Sequence, residues 1–267
     1  ADRRGSGCLI KSNRGRGYFL TDIGRVFIKK ETYMGIIGVT VALFFSISGN
    51  IQTTVISNFL YGTYGVGFLL AFVFCAFSYG TVYSDELENG YIRYSVIRGG
   101  LKHYVISKAA TIFLSSVVVM AAGCGVFGIL CSLHMPWADV QICKELAASG
   151  GYVWLIKEKR YVLWLVSYGL QWGMLAGSLS QAAAFASLYI TNRLLVLSVP
   201  VFCYQAITEF SAKLTEKNSM WSIQSVFDAR YQMFGDDRKM FLWALGLSLC
   251  TTMALCGISY IRLKKRI

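Results

Sequence analysis

Six apolar runs, none containing Asp, Glu, Lys or Arg, are separated along the chain by more polar segments, all but the first of them charged. They cover 33–51, 63–83, 109–133, 161–190, 194–208 and 240–261. Uncharged apolar runs of about 18 residues or more read as membrane spans. The first is short but clean, with the core "MGIIGVTVALFFSISGN". The fourth, at 30 residues, would extend about 45 Å as a helix and must tilt, kink or project beyond a hydrocarbon layer of about 30 Å. The fifth is short and carries Pro200, which removes a backbone donor and favours a kink. Only Thr191 to Arg193 separate it from the fourth, so the pair predicts a tight helical hairpin.

Polar segments carry patterns of their own. In "YFLTDIGRVFIKKE" (18–31), Phe19, Leu20, Ile23, Val26 and Phe27 recur at helical spacing, with Asp22, Arg25, Lys29 and Lys30 on the other face. That is the pattern of an amphipathic helix lying in a membrane interface. Segment 134–160 predicts one short helix, 138–148, stopped by Gly150 and Gly151, and 209–239 predicts one or two surface helices. Residues 52–62 read as a short uncharged loop. The expected fold is an all-α polytopic membrane protein: a cytoplasmic N-terminus (1–32), one six-helix domain (33–261) and a basic cytoplasmic tail (262–267).

Charge sets the orientation. With six spans, both termini share a side that holds seventeen of the 26 Lys and Arg, against nine on the other. The positive-inside rule makes that side cytoplasmic. The formal net charge of +12 then lies almost entirely there, which suits a membrane surface and not a nucleic acid. Trp137, Trp154, Trp164, Trp221 and Trp243 fall near the outer boundary, as an aromatic belt would. Overall composition agrees: 55% hydrophobic, only 15% charged, mean hydropathy +0.51. The first 30 residues are polar and basic and predict no cleavable signal peptide.

Several chemistries lack their residues. No GxxxxGK[ST] phosphate loop occurs, so nucleotide hydrolysis by this chain is not expected. No HExxH or GxSxG occurs, and the two histidines, His103 and His134, fall on opposite sides. "FGDD" (234–237) sits in a charged outer loop without an Asp partner in any span. No CxxC exists, so neither a zinc site nor a disulfide framework is expected; a Cys131–Cys143 bridge is conceivable. Ion-coupled carriers place ionisable groups within their spans. Here the innermost polar groups are Gln171, Gln181, Tyr204 and Gln205, so energy for transport would come from outside the chain. Gly169, Gly173 and Gly177, at four-residue spacing, permit close helix approach to a second copy or within the chain.

The cytoplasmic connector "YSDELENGYIRYSVIRGGLKHYVISK" stands out between the second and third spans. Asp85, Glu86 and Glu88 cluster where the second span ends. Tyr91, Tyr94 and Ile97 fall on one face of a short helix over 90–98, and Gly99-Gly100 can stop it in a left-handed conformation. Exposed aromatics on a short helix need a surface to cover them. This segment resembles the coupling helix of the ABC type-2 permease family. The matching positions are Glu86, Glu88 and Gly90, then Tyr91, Arg93, Tyr94, Ile97 and Arg98, then Lys102, Tyr104 and Lys108. At "RGGLK" the chain departs from the family, whose members more often carry a proline and a serine there. The N-terminal helix and six-span layout match too, so the resemblance covers essentially the whole chain.

That resemblance implies a non-catalytic permease subunit of a plasma-membrane exporter, of bacterial type. Two permease copies, identical or homologous, would work with two cytoplasmic ATPase subunits, and ATP and Mg would be bound on those partners. The second and fifth spans would line the conduit, through Phe68, Phe72, Phe74, Phe202, Tyr204 and Gln205. An aromatic, uncharged lining suits an amphipathic or hydrophobic cargo: a peptide or drug first, a lipid or lipid-linked glycan next. The alternatives are a membrane scaffold or sensor subunit that moves nothing, and an intramembrane enzyme of unrecognised type.

Overall fold

A computed structural model describes residues 19, 21–92, 96, 100–214, 222–232 and 234–266. Among these the chain is helical. Helix α1 covers 21–28, followed by α2 (Lys30–Ile47), α3 (Val55–Gly62), α4 (Gly67–Phe77) and α5 (Val82–Glu88). Then come α6 (Leu101–Ser132), α7 (Val140–Ser149), α8 (Val153–Lys157), α9 (Tyr161–Ala186), α10 (Arg193–Leu214), α11 (Ile223–Phe227) and α12 (Asp237–Arg266). Among the described residues, six segments are long and apolar enough to cross a membrane: α2, α4 with α5, α6, α9, most of α10, and α12.

These segments run alternately up and down, which collects the connections at two ends. One end carries α1, α5, the start of α6, the α9–α10 turn and the last turns of α12, joined by a cluster of Val26, Tyr83, Ile112, Leu188 and Leu263. We call this the basic end. At the opposite end, Val55 and Ile56 donate backbone hydrogen bonds to Pro136 and Trp137, and Gly151 donates to Ala229. That grouping follows from the six runs read in the sequence.

Close approach of α6 and α9, the most extensive helix pair, forms the centre. A Cβ on Gly173 would stand 2.9 Å from Val117 Cα and 3.0 Å from its carbonyl oxygen; Gly169 faces Ala121 and Cys124, and Gly177 faces Phe113. The glycine stripe is therefore used within the chain. Aromatic side chains extend this core. Phe59 of α3 packs edge-on against Trp164 and Tyr168, and Phe68 does so against Trp172.

Some expectations change. Residues 52–62 are not a plain loop: Thr54 caps α3 by accepting from Ser57 N–H, and Val55, Ile56 and Phe59 are fully buried. Trp164 is not at a lipid boundary but in the core, donating its indole N–H to the Gly151 carbonyl. Trp221 lies outside the described residues. Cys131 and Cys143 are both free. The hairpin between the fourth and fifth runs is looser than expected, because α9 ends at Ala186 and six residues pass before α10. Pro200 stands inside α10.

Candidate functional site: the lysine network behind the connector

The second spanning segment breaks at 78–81, between α4 and α5. Gly80 sits so close that its N–H lies 2.6 Å from the Ala76 carbonyl, a contact a Cβ would obstruct. The break carries Tyr79, and α5 beyond it carries Glu86. Gly90, at φ +68°, ends the turn that follows, and Gly100, at φ +79°, precedes α6; both are conformations that L side chains rarely adopt. On α6, Tyr104, Ser107 and Lys108 share one face by their i, i+3, i+4 spacing.

Lys108 is the hub. Its ammonium lies 2.6 Å from Glu86 Oε1 and 2.9 Å from Asp22 Oδ1, and donates to Tyr79 OH at 2.8 Å. Three donors meet three acceptors, so the ammonium is saturated. The carboxylates are held a second time: Tyr104 OH donates to Glu86 Oε2 and Ser107 Oγ to Asp22 Oδ2. Lys29 lies over the Tyr79 ring, its ammonium 5.4 Å from the ring centre. Lys108 is 3% exposed and Asp22 6%. A cluster whose ammonium is saturated and whose carboxylates are each held twice, at low dielectric, works as a tie between elements: α1, the break, α5 and α6 are fastened at one point.

This corrects two expectations. Asp22 does not lie on an outward polar face with Arg25; it turns inward while Arg25 stays exposed. The spanning segments are also not free of ionisable groups, because Lys108 lies within one. Helix α6 has 32 residues, about 48 Å against a hydrocarbon layer of about 30 Å, so its first turns project beyond that layer. Lys108, about 10 Å from the helix start, then sits near the hydrocarbon boundary, covered by protein.

The connector residues divide. Glu86 belongs to the network and faces inward. Glu88, Gly90, Tyr91 and Lys102 are exposed, Tyr91 by 63%, while Ile92 beside it is 3% exposed. Arg93, Tyr94, Ile97 and Arg98 lie outside the described residues. Asp85 pairs with Arg193 at 2.8 Å, tying the connector to the start of α10.

The six candidate conduit residues do not share one surface. Phe68 and Phe72 are buried, and Phe72 stacks on Tyr204 with centroids 4.8 Å apart. Phe74 instead covers Gly38 of α2, while Phe202 and Gln205 are exposed on α10.

The opposite end holds a second polar cluster that no local pattern in the sequence marks. Asp228, 2% exposed, accepts from Arg230 and from Tyr168 OH. Arg230 also donates to the Leu60 carbonyl and Thr63 Oγ1, and its guanidinium lies 3.5 Å from the Tyr64 ring centre. Burial works against the Arg230 charge, but Tyr168, Asp228 and Tyr64 outweigh it and hold the group above its ordinary pKa. Burial, then the hydrogen bond to Tyr231, raises the Tyr64 phenol. Among the described residues, no cluster of His, Cys, Asp and Glu could hold a metal ion.

Comparison with known proteins finds no matching family model, curated protein or solved structure for this chain.

Proposed function

We propose that this chain is the membrane-spanning permease subunit of an ATP-driven exporter of the ABC type-2 kind, coupled to a separate cytoplasmic ATPase and moving an amphipathic or hydrophobic cargo. Six helices apolar enough to cross a membrane are the base of the reading. The observation that carries it is the Lys108 network. A connector that only turned the chain would need no buried ion-pair tie to α1 and α6. A connector that receives force does, since a push on its exposed side must reach the spanning helices and not be lost in a loop. Exposed Tyr91 and Glu88 lie on that side, directly beyond the tie. The resemblance of the segment to a coupling helix supplies the partner.

Purification of the tagged full chain from its own membranes tests this. A cytoplasmic ATPase should come with it, and the pair should hydrolyse ATP and move cargo in vesicles. Tyr91→Ala should weaken the pair about tenfold, as expected when a central aromatic contact is removed. A partner retained without any ATP-dependent transport would favour the scaffold or sensor reading. Absence of any ATPase partner would overturn the proposal.

A further inference from the structure

The last turns of α12 bring two cations to one cavity at the basic end. Arg262 and Lys265, three residues apart and so on one helix face, line a cavity of about 340 Å³ with Leu188 and Tyr189 of the α9–α10 turn. Leu263, between them in sequence, is 1% exposed and packs with Tyr83, Ile112 and Leu188. This stretch is thus fixed to the bundle and is not a loose basic tail. Arg262 is positioned by Tyr189, whose ring centre lies 4.8 Å from the guanidinium carbon. Tyr189 is positioned in turn by Phe185, edge-on at 5.4 Å.

Lys108, Arg160, Arg193 and Arg230 each have a carboxylate partner, but among the described residues neither Arg262 nor Lys265 forms an ion pair. Guanidinium and ammonium groups converging on a concavity suit phosphate oxygens, the first as a fork and the second as a point charge. One turn deeper on the same face, Ile258 and Ile261 are 49% and 57% exposed. The helix therefore presents, in order, an apolar wall and then two cations at its end. That is the order of an acyl chain and a phosphate headgroup.

We propose that this cavity binds the phosphate headgroup of an anionic phospholipid, with the acyl chain lying along Ile258 and Ile261. The inference requires only that α12 crosses the membrane, so it stands or falls separately from the transport reading. The full chain would be reconstituted in phosphatidylcholine vesicles with chain spin-labelled phosphatidylglycerol or phosphatidylcholine as the probe. The motionally restricted fraction then reports which lipid sits against the protein. Wild type should prefer phosphatidylglycerol several-fold. Arg262→Gln with Lys265→Gln should abolish the preference, while Lys264→Gln with Lys30→Gln, an equal loss of charge at exposed positions outside the cavity, should keep it.

Inorganic phosphate exchanged for chloride at matched ionic strength separates the two sources of the anion. No effect on the preference supports the lipid. Loss of the preference in phosphate alone would overturn the lipid as occupant in favour of a free phosphate on the same two cations. Equal loss in both double variants, or no preference in wild type, would overturn the site altogether and leave only diffuse surface charge.

Discussion

At the residue scale, Lys108 decides most. Its neighbours are visible in the sequence only as local signals: Tyr104, Ser107 and Lys108 at helical spacing, and Glu86 in an acidic cluster. Nothing local connects Lys108 with Asp22, 86 positions away, because pairing across the chain is set by how helices pack. The same holds for Arg230 and Tyr64. Breaking the network should be costly. Lys108→Met leaves two carboxylates at low dielectric without their shared cation, and loss of one partner of a buried pair costs about 3–5 kcal/mol. Adding Asp22→Asn and Glu86→Gln removes the orphaned charges and should recover much of that loss. Unfolding of the purified protein measures both. A single variant as stable as wild type would show that the cluster ties nothing together.

At the element scale, runs without charge locate the six spanning segments, since hydropathy is a local property. Boundaries are less legible. Helix α6 starts eight residues before its uncharged run, because Lys102 and His103 stay in water while Ser107 and Lys108, a turn further on, are covered through their bonds to Asp22 and Glu86. Helix α3 reads as a loop in the sequence because "VISNFLYG" is too short to span and carries no periodic charge to mark a helix face. The glycine stripe on α9 implies that something approaches closely, without naming what. With α6 as its partner, the prediction is specific. Gly173→Ala would drive a methyl group against Val117 backbone atoms, which cannot rotate away, and should cost about 1–3 kcal/mol. A Cβ on Gly246, in α12, would meet no atom within 4 Å, so Gly246→Ala should be neutral or gain up to about 1 kcal/mol of helix propensity. Parallel unfolding of the two variants checks this; equal effects would mean that α6 and α9 do not pack as described.

At the scale of the whole molecule, the two ends are chemically distinct and the spanning segments connect them in strict alternation. Seventeen of the 26 basic residues fall, by sequence, on the side of the basic end, which predicts that this end faces the cytoplasm. Three exposed residues test the order of crossings: Glu88 in the connector, Glu158 before α9, and Asn192 before α10. In a cysteine-free background, a thiol at Glu158 should react with an impermeant reagent in intact cells. Thiols at Glu88 and Asn192 should react only after permeabilisation. Using both matters, because α6 and α9 lie between them and return the chain to the same side only if each crosses once. Disagreement between Glu88 and Asn192 would remove one of those two crossings. Agreement of all three on one side would place α7 and α8 at the basic end, against the Gly151–Ala229 and Trp164–Gly151 hydrogen bonds that hold them at the other. Reversal of all three together would keep the bundle intact and turn it over, and the exposed face of Tyr91 would then be unable to meet any cytoplasmic partner.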